Sequence, residues 1–162
     1  MQTIFFQKTS ELRRNKDELE RKLNIKINIK GKKVTIKGSP IDEYEASLVL
    51  DAINLGFSAR NALTLKDESK IFRILNIKDI TRKKNLENVR ARIIGREGKT
   101  KRTIENITGC DIIIKDNEIG IIGDAESIEN VITGISNLVR GTKQSNTYRY
   151  LEKMNKRKRE SL

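Results

Sequence analysis

Two glycines three residues apart lie inside a stretch that combines apolar and cationic side chains, Arg92-Ile93-Ile94-Gly95-Arg96-Glu97-Gly98-Lys99-Thr100-Lys101-Arg102. Apolar residues recur at helical spacing before and after it, which predicts a helix on each side. Gly95 falls where a helix favours a left-handed terminating residue, and Gly98 falls where the next helix begins. The stretch is therefore predicted to form a tight turn between two helices.

The predicted turn has the properties of a phosphate-binding loop. The backbone amides that open the second helix carry the positive end of its dipole. Four cationic residues stand beside them in the sequence: Arg96, Lys99, Lys101 and Arg102. A G-x-x-G spacing alone is weak evidence in a chain with ten glycines, and an ordinary helix-turn-helix corner is the alternative. A bare corner does not require this charge, so we favour a nucleic-acid-binding loop.

Charge and composition limit the class of partner. The chain of 162 residues has 34 Lys and Arg against 22 Asp and Glu, a formal net charge of +12. This excess favours a polyanion, with nucleic acid as the leading candidate and a membrane surface as the alternative. No apolar run approaches the length of a spanning helix, and the N-terminus has no signal-peptide pattern. We therefore expect a cytoplasmic protein that does not enter the membrane.

Few residues are available for catalysis or metal binding. The chain has one cysteine, Cys110, and no histidine. A zinc site and a cysteine–histidine nucleophile pair therefore lack their residues, and the commonest general base is missing. Carboxylates such as Asp42 and Glu45 interleave with apolar helical positions, as on a solvated helix face. The sequence predicts no enzyme, no catalytic residue, no metal and no cofactor, and Cys110 is expected to pack in a strand.

The first half of the chain has the pattern of a small α+β module. It predicts a strand at residues 3–6, a helix at 11–22, a hairpin that turns at Gly31-Lys32, and a helix that begins at Ser39-Pro40. The residues of that last helix predicted to face the core are Ile41, Tyr44, Leu48, Ala52 and Leu55.

The second half repeats this plan. A constant shift along the chain, without gaps, aligns Asn24 with Gly109, Ile27 with Ile112, Ile29 with Ile114, Val34 with Ile119, Ile36 with Ile121, Gly38 with Gly123, Ser39 with Asp124 and Gly56 with Gly141. Helix ends, strands and helix starts coincide in this repeat alignment, which indicates a duplicated module. The alignment places Ser10-Glu11-Leu12-Arg13 opposite the G-x-x-G. The first copy has therefore lost its loop and is expected to bind RNA poorly at that surface.

The element order around the loop is strand, helix, G-x-x-G, helix, strand, strand, helix, which is typical of a type I KH domain. The fold class predicted is α+β, with two tandem type I KH domains and a basic C-terminal helical tail. Each domain should have a three-stranded antiparallel sheet with helices on one face. The chain has three Tyr, four Phe and no Trp, which argues against RRM and OB domains, since these bind RNA by stacking bases on aromatic side chains.

Three segments are predicted. Residues 1–66 form a degenerate KH domain that lacks the G-x-x-G, residues 67–142 form a KH domain with the loop, and residues 143–162 form a basic tail. The tail contains the cluster Lys153-Met154-Asn155-Lys156-Arg157-Lys158-Arg159. We favour a role for this cluster in sequence-independent attraction to RNA, the alternative being a solvated helix end.

Three runs resemble one known family. They are Ala91-Arg92-Ile93-Ile94-Gly95-Arg96-Glu97-Gly98-Lys99-Thr100, Ile53-Asn54-Leu55-Gly56-Phe57-Ser58-Ala59-Arg60-Asn61-Ala62-Leu63 and Thr147-Tyr148-Arg149-Tyr150-Leu151-Glu152. They look like the archaeal tandem-KH relatives of the Pno/Dim pre-ribosomal RNA processing factors, and the resemblance covers nearly the whole chain. Many archaeal members have a G-x-x-G in the first copy, which is lacking here.

The resemblance implies a non-enzymatic protein of small-subunit ribosome biogenesis. It implies binding near the 3′ end of the small-subunit ribosomal RNA precursor, beside the PIN-domain endonuclease of the Nob type. It also implies contact with the alpha subunit of archaeal initiation factor two. The alternative from another class is a protein-interaction scaffold that holds the endonuclease or the initiation factor, with incidental RNA contact. A nuclease in its own right is the least supported hypothesis.

The predicted RNA-binding residues are Arg92, Ile93, Ile94, Gly95, Arg96, Glu97, Gly98, Lys99, Thr100, Lys101, Arg102, Ile112 and Ile114. The loop amides with Arg96, Lys99 and Arg102 would hold the phosphates of about four unpaired nucleotides. The strand containing Ile112 and Ile114 would form the opposite wall of the groove. Ile93 and Ile94 would be either an apolar floor for bases or part of the core.

Overall fold

The structure, a computed structural model, describes residues 1–161. Two compact units divide the chain, Met1–Glu68 and Ser69–Leu162. Each unit contains a three-stranded antiparallel sheet and several helices, so the predicted α+β class is confirmed. Among the described residues, no helix combines the length and the apolar content needed to cross a bilayer.

The first unit alternates short strands with helices. Its elements are β1 (Gln2–Phe5), α1 (Ser10–Arg14), α2 (Lys16–Leu23), β2 (Lys26–Lys30), β3 (Lys33–Lys37), α3 (Pro40–Leu55) and α4 (Ala59–Ala62), followed by a 3₁₀ turn at Leu63–Lys66. The sheet order is β1-β3-β2, with both pairings antiparallel. The alternating residues Ile27, Val34 and Ile36 are buried on the face of the sheet that the helices cover.

Two expectations for the first unit are wrong. The helix predicted at residues 11–22 is two helices that break at Asn15, because this side chain donates to the Glu11 carbonyl at 2.8 Å and competes with the helical pattern. In α3, Ala52 and Leu55 are buried, but Ile41, Tyr44 and Leu48 are 73%, 63% and 38% exposed.

The inward face of α3 is a different apolar stripe from the one predicted. Ala46, Val49, Leu50 and Ile53 are buried and recur at helical spacing. Because α3 carries apolar residues around most of its circumference, periodicity could not show which stripe faces the sheet. The exposed stripe stays in contact with solvent.

The second unit follows the same plan with additional helices. Its elements are β4 (Ile71–Asn76), α5 (Ile77–Ile80), α6 (Leu86–Ile94), α7 (Lys99–Thr108), β5 (Asp111–Lys115), β6 (Glu118–Gly123), α8 (Ala125–Val139) and α9 (Gln144–Glu160). The central strand is β6, in the antiparallel order β4-β6-β5. The core includes Ile104, Ile121, Val131 and Leu138. Cys110 lies just before β5 and is buried there, and burial raises the pKa of its thiol.

The two units share local structural features at positions paired in the repeat alignment. Asn24 and Gly109 both end a helix in the left-handed region, with φ of 54° and 72°. Ser39 and Asp124 both begin a helix, and each side chain accepts a backbone N–H three residues on. The sequence repeat therefore corresponds to repeated structure.

A hydrogen bond between helix and sheet is also repeated. In the first unit the amide of Ile27 in β2 donates to Glu20 Oε2 at 2.8 Å. In the second unit the amide of Ile112 in β5 donates to Glu105 Oε2 at 3.0 Å. Since these strands lie at sheet edges, each glutamate satisfies a backbone donor without a strand partner.

The C-terminal segment is a helix packed on the second unit. The side chains of Thr147 and Leu151 in α9 are buried. A methyl group on Gly134 of α8 would lie 3.3 Å from Leu151 Cδ2, so glycine permits the close approach of the two helices. Near the other end of α9, Lys158 hydrogen-bonds to Asp124 and to the Ser127 hydroxyl. Lys158 thereby attaches the end of α9 to the start of α8.

Candidate nucleic-acid interface

The predicted loop is a sharp turn between α6 and α7. Gly95 ends α6, and its amide donates to the Ala91 carbonyl at 2.8 Å. Arg96–Gly98 form a tight turn that is closed by a 3.2 Å hydrogen bond from the Gly98 amide to the Gly95 carbonyl, after which α7 begins at Lys99. Gly95, Glu97 and Gly98 have φ of 77°, 54° and 76°, so three of four consecutive residues have positive φ. The turn predicted between two helices is confirmed.

The two glycines are required for different reasons. A Cβ on Gly95 would lie 2.1 Å from Thr100 Oγ1 and 2.7 Å from the Thr100 amide nitrogen, so no side chain fits. A Cβ on Gly98 would have no atom within 4 Å. Gly98 therefore relieves strain at its positive φ and leaves open space beside the turn. The chain can pack tightly at Gly95 and remains accessible at Gly98.

The N-terminus of α7 is suited to an anion. Gly98 occupies the N-cap position, and no side chain caps this end of the helix within the described part of the chain. The first amides of a helix have no intrahelical acceptor and carry the positive end of its dipole. The amides of Gly98 and Lys99 already donate to the Gly95 and Arg96 carbonyls. A phosphate placed next to Gly98 would therefore be held by the helix dipole and by the amides that follow in the first turn of α7.

Three of the predicted cations are available to a ligand. Arg96, Lys99 and Arg102 are exposed. Over residues 1–161, none of these three side chains forms an ion pair or a hydrogen bond. They stand within seven consecutive residues around the open helix end, so their fields add there. Glu97, also exposed, is the acidic residue inside the turn.

Arg92 lies on α6 and binds the protein itself. Its Nε donates to the Leu138 carbonyl at 2.6 Å and its Nη2 donates to the Thr142 carbonyl at 3.0 Å. These carbonyls lie at the C-terminal end of α8 and just beyond it, where helical acceptors are unpaired and a cation is favoured. The guanidinium joins the loop's first helix to the end of α8.

Lys101 likewise makes internal contacts. Its Nζ lies 3.1 Å from Glu105 Oε1 and 3.1 Å from the Ile112 carbonyl oxygen, so it joins α7 to β5. The equivalent residue of the first unit, Lys16, lies 3.7 Å from Glu20. Because the first unit keeps this lysine–glutamate pair without the glycine loop, the pair is a feature of the fold.

The apolar residues of the predicted groove divide between core and partial exposure. Ile93 and Ile112 are buried, at 1% and 4% exposure, so the core alternative is the correct one for Ile93. Ile94 and Ile114 are half-buried and can offer apolar surface. Ile112, expected in the groove wall, has its backbone N–H and C=O bound by Glu105 and Lys101.

One residue beside the loop was missed by the sequence reasoning. Gln144, the first residue of α9, donates from Nε2 to Thr100 Oγ1 at 3.0 Å. Thr100 is buried directly behind Gly95. The two partners are 44 residues apart, and no periodicity or motif connects them. This contact required the tertiary structure to be found.

Comparison with known proteins identifies the class. Residues 71–156 match the family described as "Eukaryotic type KH-domain (KH-domain type I)". The chain is 30% identical over 145 residues to a KH domain-containing protein of Methanocaldococcus jannaschii, covering 85% of this chain and 64% of that protein. It is 28% identical over 148 residues to the pre-rRNA-processing protein pno1 of Emericella nidulans, covering 86% and 57%. The chain thus spans about three fifths of the length of these curated relatives.

A solved structure is also similar. It is the crystal structure of the a/eIF2alpha-aDim2p-rRNA complex from Pyrococcus horikoshii OT3, with a TM-score of 0.83 and 30% sequence identity, covering 96% of this chain and 94% of that one. The loop geometry and the matched family make residues 71–156 a type I KH module. The chain belongs to the Pno1/Dim2 family of KH-domain proteins.

Proposed function

We propose that this chain is an RNA-binding protein of small-subunit ribosome biogenesis. Its second unit holds single-stranded ribosomal RNA near the 3′ end through the G-x-x-G turn and assists processing of the precursor. The observation that carries the proposal is the uncapped N-terminus of α7, open at Gly98 and surrounded by the unpaired cations Arg96, Lys99 and Arg102. KH modules clamp about four nucleotides of backbone at such a loop.

The predicted RNA-binding residues divide into two roles. Arg96, Lys99 and Arg102, with the positive end of the α7 dipole, contact phosphates. Ile94 and Ile114 offer apolar surface to unstacked bases. Glu97 is the exposed acidic residue of the turn, and the remaining predicted residues support the turn from within: Arg92, Ile93, Gly95, Thr100, Lys101 and Ile112. This division follows from the contacts that each side chain already makes in the protein.

The first unit is proposed to be a degenerate type I KH domain, so that the chain has two KH modules in tandem. The features paired in the repeat alignment support this, including the Glu20–Ile27 hydrogen bond. Ser10-Glu11-Leu12-Arg13, at the position of the loop, is helical and contains no glycine. The proposed segments remain 1–66, 67–142 and a basic segment at 143–162, and the last contains all of α9.

The proposed partners differ in their support. The similar structure from Pyrococcus horikoshii contains rRNA and a/eIF2alpha beside aDim2p, which supports ribosomal RNA and the initiation factor's alpha subunit as partners here. A PIN-domain endonuclease of the Nob type is proposed from the family resemblance alone. The chain is proposed to position RNA for such an enzyme and to have no catalytic role of its own.

A protein-interaction scaffold is the second candidate function. Ile41, Tyr44 and Leu48 form an exposed apolar stripe along α3, and Asp42 and Glu45 lie beside it. An apolar stripe with charged flanks is suited to contact another protein. RNA binding would then be incidental to the assembly of the endonuclease or initiation factor.

The salt dependence of RNA binding tests the proposed contacts. Single Ala substitutions of Arg96, Lys99 and Arg102 are expected to flatten the log–log slope of affinity against salt by about 0.7 each, the value for one phosphate contact on a single strand. Arg92→Ala and Lys101→Ala serve as matched controls, because their cations bind the protein itself. These controls should lower the free energy of unfolding and leave the slope nearly unchanged. Equal slopes in all five variants would contradict the proposed clamp.

A further inference from the structure

The outer face of the sheet in the first unit is strongly basic. The pairing of β2 with β3 places Lys26 directly opposite Lys37 and Lys30 directly opposite Lys33. All four lysines are exposed and point away from the buried residues of the same strands. The two pairs are four residues apart along each strand, a separation of about 13 Å. The face can therefore reach more than one phosphate.

These lysines form no ion pair that would explain them. None of the three strands in the first unit contains an Asp or Glu. Within residues 1–161, none of the four ammonium groups forms an ion pair or a hydrogen bond. Like charges directly opposite on a sheet are destabilising. In the described part of the chain, Lys37 alone of the four is attracted to a carboxylate, that of Glu43, so stabilising interactions do not account for the four lysines together.

The fold itself does not require this charge. In the repeat alignment, the four lysine positions correspond to Asp111, Lys115, Glu118 and Ile122 of the second unit. That unit builds the same three-stranded sheet with one cation among these four positions. The basic face is thus particular to the unit that lacks the G-x-x-G loop.

An aromatic side chain completes the face. Phe5 in β1 pairs with Lys33 in β3, so its ring lies on the same side of the sheet as the lysines. Its side chain is 70% exposed. Asn28 lies between Lys26 and Lys30 on β2 and is also exposed. Exposed aromatics beside cations on a sheet are a platform on which unpaired bases stack.

We propose that this face, formed by Phe5, Lys26, Asn28, Lys30, Lys33 and Lys37, is a second binding surface for single-stranded RNA. The lysines contact phosphates and the Phe5 ring stacks on a base. Single strands are favoured over duplex because a paired base cannot stack on a side chain. The surface belongs to the first unit and the G-x-x-G turn belongs to the second. The inference does not rest on the function proposed for that turn.

The test uses the full chain in the Arg96→Glu background, where the contribution of the turn is weakened. The sheet variant carries K26Q, K30Q, K33Q and K37Q. The matched control carries K8Q, R21Q, K22Q and R60Q, which removes the same charge from exposed positions elsewhere in the first unit. Both are titrated by fluorescence anisotropy with a labelled single-stranded RNA, an RNA duplex and polyglutamate. Circular dichroism melting checks the fold, and the sheet variant should melt no lower than its parent because the opposed lysines are gone.

The sheet variant is expected to bind the single strand about tenfold more weakly than the control, with a log–log salt slope flatter by about 0.7 for each phosphate that a lysine no longer neutralises. Phe5→Ala alone should weaken binding about fivefold or more without changing the slope, because stacking involves no ion release. Equal affinities of the sheet variant and the control would overturn the inference. The inference would also be overturned if the sheet variant kept RNA binding but lost polyglutamate binding, because the face would then be a docking surface for an acidic protein. A loss of affinity confined to the RNA duplex would overturn it as well.

The same titrations in the background with Arg96 intact separate this inference from the function proposed for the turn. If Arg96→Glu has no effect while the sheet variant loses affinity, the clamp at the turn fails and the sheet surface stands. If Arg96→Glu abolishes binding and the sheet variant matches its control, the clamp stands and the sheet surface fails.

Discussion

Gln144 donates a 3.0 Å hydrogen bond to the hydroxyl of Thr100, which joins the first turn of α9 to the start of α7. Thr100 in turn fills the space in which a side chain on Gly95 would stand. The G-x-x-G turn is therefore backed by a residue from the C-terminal helix. Packing of Thr147 and Leu151 holds that helix on the second unit. The C-terminal segment thus helps to set the geometry of the turn.

Removing this hydrogen bond should affect both stability and RNA binding. Gln144→Ala is expected to lower the free energy of unfolding by about 1 kcal/mol, because buried Thr100 loses a hydrogen-bond partner. It should also weaken RNA binding severalfold although Gln144 carries no charge, since the turn is less well positioned. Urea denaturation and anisotropy titration measure the two effects. Ser145→Ala, an exposed neighbour, is the control, and equal behaviour of the two variants would count against the role of Gln144.

The two glycines of the turn should respond differently to alanine. Gly95→Ala is expected to cost about 3 kcal/mol or more, because the new methyl overlaps Thr100 at a residue with positive φ. Gly98→Ala should cost only about 1 kcal/mol, since its methyl points into open space. Gly98→Ala should nevertheless weaken RNA binding, because the methyl occupies the side from which the backbone approaches. Chemical denaturation and RNA titration of both variants check this, and the opposite order of stabilities would contradict the geometry.

The ion pair at the start of α8 predicts a pH dependence of stability. Burial disfavours the charged form of Asp124, but hydrogen bonds from Lys158 and from the amide and hydroxyl of Ser127 outweigh it and hold the pKa of Asp124 below its usual 3.8. Because the folded pKa lies below the unfolded one, the contribution is complete above about pH 4 and is lost as the pH falls through the folded pKa.

Asp124→Asn keeps a good helix cap and removes the charge. The variant should be less stable than wild type by about 1 kcal/mol at neutral pH, as expected for a partly exposed pair. The difference should shrink below pH 4. Denaturant titrations from pH 7 to pH 2 measure it, and a difference that stays constant to pH 2 would refute the assignment.

Much of the fold could be predicted from local signals, and the failures have physical causes. The internal repeat, the caps at Ser39 and Asp124 and the turn at Gly95 follow from local patterns that the structure reproduces. The orientation of α3 could not be predicted, because its apolar residues cover more than one face. The internal partners of Arg92 lie on α8 and beyond it, and no sequence pattern indicates contacts over such distances.

The exposed stripe of α3 separates the two candidate functions. Tyr44→Glu should change the free energy of unfolding by about 0.5 kcal/mol or less, because the ring is exposed, whereas Leu50→Ala on the buried side should cost about 2–5 kcal/mol. RNA binding by Tyr44→Glu should equal that of wild type. If the stripe contacts a protein, the variant should lose binding to the initiation factor's alpha subunit or the endonuclease in a pull-down with purified partners. If Tyr44→Glu still bound both partners, the stripe on α3 would be excluded as their binding surface.

The most direct test of the proposed clamp is the selectivity of RNA binding. A short single-stranded RNA matching the 3′ end of the small-subunit ribosomal RNA is compared with a scrambled RNA, using wild type, Arg96→Glu and the control Lys78→Glu, an exposed lysine on α5. Circular dichroism checks that all three are folded. We predict that wild type and Lys78→Glu prefer the matching RNA, and that Arg96→Glu binds this RNA much more weakly than either because it loses a phosphate contact and reverses the charge there. Equal, weak binding of both RNAs by all three proteins would contradict the clamp and leave only a basic surface.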